Sequence, residues 1–494
     1  MLACFLGRKT TYLAILLGIL LATCDASVLF PAYAAEHFNS AGAQGFLRAE
    51  GTWIVDELGN KVLLRGANFF GYEFGLWDTH ALTDYTKMAS WGFNVVRLPI
   101  AWNFIEPEPG KYDETYFLRY VDRDVAWAKS LGMYIILDMH QYEWSPYFTY
   151  HDSWHTAGLP SWMVSAYPNT NTGQAQAKAD FWNNLGPNGS VPSGTNPSMQ
   201  DRFIQAWKYV AARYGQEDAV AAYDLFNEPS ADSSDGRVCL YPSATVCSRR
   251  RLLDTLPNFL TRVVDAIRSV DSRHMIVWEP AWDIYWAQAT SYVRRPNVVY
   301  SPHYPGYTWA STSTTRYDRN ATQLEALFKT MVVDYAVAWN QPAFVGEWGI
   351  LVEAANSAQY VHDFADLLDK YLISSTWWTY GRMSYGTALF DKTGNERTVL
   401  TAELIRPYLR VSSKPSSSSS FSPDMKEFRI DVEGPATVVV SLPSRYRPLS
   451  AKSDKGSTFN LVYPQRAGEM TAGTLVLSVP SEASSVVLAY SSGA

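Results

Sequence analysis

At 494 residues, with 47% hydrophobic and 18% charged side chains, the chain exceeds one ordinary core and suits a large globular domain joined to a smaller one. The formal net charge is −7 and the longest basic run is Arg249-Arg250-Arg251, which excludes nucleic acid as a partner, because phosphate binding needs a concentrated positive face. Trp, Tyr and Phe are abundant, and many lie in loop-like stretches such as "HQYEWSPYFTYHDSWH", where flat exposed rings suit stacking on sugars.

The chain opens with Arg8 and Lys9 before the apolar run "YLAILLGILLA" (12–22), followed by Ala32-Tyr33-Ala34 as a cleavage site. Residues 1–34 are therefore read as a signal peptide, which places the protein outside the cytoplasm; an uncleaved anchor is the alternative. The run falls short of the about 20 residues that an ordinary spanning helix needs. Export makes Cys239 and Cys247, the two cysteines beyond the leader, an expected disulfide closing a short loop.

From 46 to 410, short apolar runs alternate with helical patterns. The hairpin-like "TWIVDELGNKVLL" is expected to close the lower end of the domain. "KVLLRGAN" (61–68), "FNVVRLP" (93–99), "MYIILDMH" (133–140) and "AVAAYDLFNEP" (219–229) read as buried strands. "HMIVWEP" (274–280), "NVVYSPHY" (297–304), "AFVGEWG" (343–349) and "LISSTWWTY" (372–380) complete a set of eight. Helical segments such as "SMQDRFIQAWKYVAARYG" join them, with apolar residues three and four apart. Eight apolar strands linked by helices predict an α/β fold, a closed (β/α)₈ barrel. A doubly wound open sheet is the alternative, and it lacks a Gly-rich turn after its first strand.

The connection from Gln141 to Pro197 is far longer than most, and it follows the end of a strand, where barrels build their sites. It is expected to wall a cleft, with Trp144, Trp154, Trp162 and Trp182 either anchoring it or lining the cleft. Residues 411–422, which carry most of "SSKPSSSSSFSP" (412–423), read as a flexible linker. Residues 423–494 follow with short alternating strands and predict a small β-sandwich, expected to dock rigidly because it is too small to bury a generous core alone.

Two glutamates end otherwise apolar strands: Glu228 the fourth and Glu347 the seventh. In a closed barrel these ends face one another across the mouth. One carboxyl group can then protonate a glycosidic oxygen while the other attacks the anomeric carbon, with about 5–5.5 Å between them for a retaining reaction. Either glutamate alone would as readily cap a helix or pair with Arg97. His151 and His155 have metal-like spacing but no partnering acid pattern, so no metal is expected.

"NEP" and "GEWG" closing two strands, with "RLPIAW" and "DMH" earlier, resemble glycoside hydrolase family 5 over residues 46–410. The resemblance implies a (β/α)₈ barrel, a retaining reaction and no cofactor. It makes Glu228 the general acid/base and Glu347 the nucleophile, with Asn227 bonding the sugar 2-hydroxyl. It places Arg97 beneath the nucleophile, where its charge would lower the Glu347 pKa. It puts His140 and His303 in the substrate pocket, and Trp378 beneath the sugar, with Trp377 packing outside the barrel. The family commonly carries a tyrosine two places after the sixth-strand histidine. Here Pro305 stands there, and of its neighbours Tyr304 and Tyr307 the first is the candidate.

The added β-sandwich, with "MHQ", "GLPSWM", "FWNN" and "SPHYP", resembles the endoglycoceramidase-like branch, which implies a glycolipid substrate and contact with a membrane surface. Tyr142 stands where that branch tends to have aspartate. An endo-β-1,4-glucanase is the alternative, and a carbohydrate-binding protein without turnover is a reading from another class.

Overall fold

A computed structural model describes residues 45–150, 157–230, 249–281, 292–305, 316–383, 386–456 and 473–492. The first strands, β1 (Arg48–Glu50), β2 (Trp53–Val55) and β3 (Lys61–Val62), form an antiparallel meander. The barrel then begins with β4 (Arg65–Phe69), β5 (Val95–Ile100), β6 (Tyr134–Met139) and β7 (Val220–Asp224). It continues with β8 (Met275–Trp278), β9 (Val298–Tyr300), β10 (Tyr304–Pro305), β11 (Phe344–Gly349) and β12 (Ser374–Tyr380). All of these pair in parallel, and Tyr300 closes the ring by donating its N–H to the Pro342 carbonyl at 3.0 Å. Packing on both faces is why these strands read as apolar runs without alternation.

The helices follow the expected patterning. In Met199–Tyr214, Ser198 and Asp201 form a reciprocal capping box, and Phe203, Trp207, Val210 and Tyr214 bury one face against the barrel.

Two expected strands divide. "KVLLRGAN" serves two sheets: Val62 pairs with Val411 in an antiparallel sheet, whereas Gly66 pairs with Val95 in the barrel. "NVVYSPHY" is interrupted at Ser301–His303, between β9 and β10.

The serine-rich stretch expected to be a flexible linker is ordered structure. It contributes to β13 (Tyr408–Ser412) and β14 (Ser418–Ser422). β14 pairs along its whole length with β15 (Glu427–Asp431), and Ser419 and Phe421 are buried. The Ser419 hydroxyl donates to the Asp369 carbonyl at 3.2 Å. Serine composition marks flexibility only when the hydroxyls and backbone have no partners, and here they have them.

β16 (Ala436–Leu442), β17 (Tyr446–Ser453), β18 (Gly473–Val479) and β19 (Ser485–Ser492) complete the carboxy-terminal strands. The sandwich has one four-stranded sheet, β14-β15-β19-β17, and one six-stranded sheet, β1-β2-β3-β13-β16-β18. Phe428, Ile430, Val438, Val440, Leu477 and Leu488 lie between the sheets. Val411 and Val439 face the other way and pack with Ile54 and Val62 against Val95, Tyr134, Ile136, Met275 and Phe344 of the barrel. The amino-terminal hairpin thus covers the barrel's lower end as a part of the sandwich.

Within the long connection, short helices form at Ser161–Val164 and Asn171–Trp182. Trp144 is fully buried among Phe181, Trp182 and Phe226, and Trp162 donates its indole N–H to the Glu106 carbonyl. These three tryptophans hold the connection onto the barrel; Trp154 lies outside the described residues.

Candidate active site

The barrel strands deliver their polar residues at or just past their carboxyl ends, some strands more than one, so the polar groups collect at the mouth. Arg97 on β5, fully buried, is the hub. Its Nε donates to Asp224 at 2.8 Å and its Nη1 to Glu347 Oε1 at 2.8 Å and to Asn68 Oδ1 at 3.1 Å. Its Nη2 reaches Glu279 Oε1 at 2.9 Å, Asp138 at 3.0 Å and Asn227 Oδ1 at 3.1 Å.

Glu228 and Glu347 come together as their strand positions require. Donor atoms of Glu228, His303 and Glu347 all lie within 4.8 Å of one another. His303 Nδ1 is 3.0 Å from Glu228 Oε1 and 3.7 Å from Glu347 Oε2. Gly346 permits this closeness, since a Cβ there would sit 2.9 Å from His303 Nε2 and 2.8 Å from Ser301 Oγ. Glu228 adopts a φ of 44°, the left-handed region that costs a non-glycine residue roughly 1–2 kcal/mol. Gln141 Nε2 donates to the carbonyls of both Asn227 and Glu228, at 3.0 and 3.1 Å, and holds that turn.

His140 places Nδ1 2.7 Å from Asp138 and lies parallel to the half-buried Trp378, with ring centroids 5.5 Å apart. Asn227 donates to the Gln141 carbonyl at 3.1 Å, and its Nδ2 lies 3.4 Å from His140 Nε2. Trp377 points outward, edge-on to Trp348, with its N–H on the Thr387 carbonyl. The structure therefore brings Arg97, His140, Asn227, Glu228, His303, Glu347 and Trp378 together. The Tyr304 side chain, Tyr307, Cys239, Cys247, His151 and His155 lie outside the described residues.

Five carboxyl groups (Asp138, Asp224, Glu228, Glu279 and Glu347) surround three cationic side chains. Only two of them reach the open mouth: Glu228 and Glu347 side chains are 26% and 14% exposed, while the other three are at most 2% exposed. Burial pushes the Glu279 carboxyl up to about 8, against the opposing charge of His303. Burial also raises the Glu347 pKa, with His303 and Arg97 opposing it. This corrects the expectation that Arg97 would hold Glu347 low: the site is dry enough for desolvation to outweigh the ion pair. Burial works against a charged His140, yet Asp138 prevails and lifts it to about 9.

Among the described residues, two groups have the donor types of a cation site. Asp138, Asp224 and Glu279 surround the Arg97 guanidinium, which donates to Asp224 and Glu279 and pairs with Asp138 at 3.0 Å. Glu228, His303 and Glu347 are the other group, and there His303 is already hydrogen-bonded to Glu228.

Sequence reasoning missed Glu279, Asp138, Asp224, Gln141 and Asn68. Glu279 carried a legible signal, because "MIVWEP" ends as "LFNEP" does, with a carboxylate and then proline after an apolar strand. Glu73 was also missed. It is fully buried beside the mouth, accepts the Gly71 N–H at 2.8 Å, and is pushed by burial up to about 7.

Residues 55–384 match the model of a family described as Cellulase (glycosyl hydrolase family 5). An endoglycoceramidase of Hydra vulgaris is 24% identical over 268 residues, 48% of this chain and 50% of that protein. An endoglucanase of Paenibacillus polymyxa is 24% identical over 296 residues, 55% of this chain and 63% of that protein. The chain thus spans between half and two thirds of the length of these relatives. The solved structure of endo-glycoceramidase II from Rhodococcus sp., in its complex with a five-membered iminocyclitol, superposes with a TM-score of 0.69. That comparison covers 90% of this chain and all of the other at 20% identity, which is a likeness of fold.

Proposed function

The chain belongs to glycosyl hydrolase family 5, and from that premise we propose that it hydrolyses β-glycosides with retention of configuration. One observation carries the reading. One carboxylate oxygen of Glu228 and one of Glu347 lie within 4.8 Å of each other, a closeness that suits the about 5–5.5 Å between carboxyl groups of retaining enzymes better than the about 6.5–9.5 Å of inverting ones. Glu347, anchored through Oε1 by Arg97, attacks the anomeric carbon as Glu228 protonates the departing oxygen. The glycosyl ester on Glu347 is then opened by water, whose proton passes to Glu228. Trp378 supplies an apolar face for the sugar ring, and His140 and Asn227 supply its polar contacts.

The substrate we infer is a glycolipid cleaved at the bond between glucose and ceramide, a reading that the likeness to a Hydra protein named endoglycoceramidase supports. An aromatic row supports it: Phe70 lies edge-on to Trp378, Phe74 is 5.3 Å from Phe70, and Phe74 meets the exposed Tyr142 at 6.3 Å. The same row would also stack on successive sugars, and that favours the β-1,4-glucan reading. Hydrolysis assays on glucosylceramide, lactosylceramide and carboxymethylcellulose, with the product anomer read by NMR, decide both questions. Turnover of none would leave a binding protein. The leader pattern around Arg8, Lys9 and the run at 12–22 supports export with residues 1–34 removed, and with it a Cys239–Cys247 disulfide. Amino-terminal sequencing and thiol titration of the exported protein test these.

A further inference from the structure

Glu279 follows directly on β8, is 2% exposed, and touches Arg97 and Glu228, which the reaction above uses, together with His303 of the same site. Its Oε2 accepts the Glu228 backbone N–H at 2.8 Å. Its Oε1 accepts from Arg97 Nη2 at 2.9 Å and lies 3.2 Å from His303 Nε2. The other nitrogen of His303 faces Glu228 Oε1 at 3.0 Å. A continuous line therefore runs from Glu279 through His303 to the Glu228 carboxyl group.

We propose that Glu279 is a positioning residue that clamps the left-handed Glu228 peptide and fixes the His303 tautomer, so that the acid proton of Glu228 stays on the oxygen facing the substrate. The proposal rests on the double-displacement reading.

The argument is one of donors and acceptors. Arg97 and the Glu228 amide can only donate to Glu279, and Oε1 lies 3.2 Å from His303 Nε2, so a proton shared by the pair is assigned to the space between those two atoms. Whether it sits on oxygen or on nitrogen, His303 keeps a hydrogen on Nδ1 and donates it to Glu228 Oε1. The Glu228 proton is then excluded from Oε1 and confined to Oε2, where a leaving oxygen can take it. When the shared proton departs, His303 keeps its single hydrogen on Nε2, against the Glu279 carboxylate. Nδ1 becomes an acceptor, and Glu228 Oε1 loses the donor that keeps the acid proton on the outer oxygen. The groups that set this titration are Arg97, Asp224 and His303 around Glu279, and Glu347 against His303. Burial raises the Glu279 carboxyl, and against that same burial the surrounding carboxylates raise His303, so the pair gives up its shared proton on the alkaline side of neutrality.

The test uses the full-length protein, its Glu279→Ala and Glu279→Gln variants, and two substrates, phenyl β-glucoside and 2,4-dinitrophenyl β-glucoside. Loss of oriented acid catalysis should lower kcat of Glu279→Ala on the phenyl glucoside by about a hundredfold, with KM and the dinitrophenyl rate nearly unchanged. Glu279→Gln, which cannot titrate there, should shift the alkaline limb of the phenyl-glucoside profile. In the unmodified protein, the advantage of the better leaving group should grow as pH rises through the alkaline range. Equal losses on both substrates with an unmoved pH profile would overturn the proposal in favour of a structural role. Should the variants fail to fold, a leaving-group dependence in the unmodified protein that is flat from pH 6 to 10 overturns it. An unmodified protein that hydrolyses neither these glucosides nor glucosylceramide, lactosylceramide or carboxymethylcellulose overturns the glycosidase reading itself, and this proposal with it.

Discussion

Val62, in the amino-terminal hairpin, is the antiparallel partner of Val411, at the far end of the barrel sequence. That pairing makes one sheet from both ends of the chain, and the sheet's inner face seals the barrel. Removing residues 407–494 should therefore expose Ile54, Val62 and the lower barrel, and lower the melting temperature or cause aggregation. Val439, fully buried on the sealing face, gives a gentler probe. Val439→Thr keeps the shape and adds a hydroxyl without a partner, which should cost about 1–3 kcal/mol in chemical denaturation. A truncated barrel that melts where the whole chain does would show an independent module.

Trp144 and Trp378 should separate packing from recognition. Trp144→Ala removes a fully buried indole and should cost about 3–5 kcal/mol, with no preference among substrates in the remaining activity. Trp378→Ala, at a half-buried ring over His140, should lower kcat/KM and change stability little. Thermal melts with kinetics on one aryl glycoside and one natural substrate give both readouts. The reverse pattern would move the sugar platform into the long connection.

Glu347→Ala should abolish turnover, and azide should restore part of it while forming a glycosyl azide of inverted configuration. Glu228→Ala should lose about 10²–10⁴-fold on substrates with poor leaving groups and far less on activated aryl glycosides. Unimpaired hydrolysis in the first variant, or equal losses on both substrate types in the second, would falsify the assigned roles.

Stability should fall as pH rises from mildly acidic to alkaline. Glu73 and Glu279 have carboxyl pKa values raised from an ordinary 4.5 to about 7 and about 8, so the native state holds protons that the unfolded chain has released. His140, raised from 6.5 to about 9, adds stability that is fully present below 6.5 and lost as pH passes 9. The three shifts have one sign, so denaturant midpoints should decline between about pH 5 and 9. Glu73→Gln should flatten the part below about 7, and His140→Gln the part above 6.5. A midpoint that rises over this range would contradict these titrations.

Much of this was legible along the chain. Apolar runs without alternation, spaced by helical patterning, dictate parallel strands buried on both faces, and "NEP" and "GEWG" mark the two carboxylates at strand ends. Where the hydrogen bonds of a local segment go was not legible. "KVLLRGAN" reads as one strand because its composition is uniform, yet distant partners divide it between two sheets. "SSSSS" reads as flexible because serine carries no apolar area, yet β15 and the Asp369 carbonyl satisfy it. The charge state of the site was also beyond the sequence. Arg97 beside Glu347 suggests a lowered pKa, whereas burial, which depends on every side chain closing over the mouth, raises it. Sequence determines which groups can ionise and on which strand ends they stand. Tertiary structure decides how much water each one keeps, because desolvation is the sum of contacts contributed by residues hundreds of positions apart.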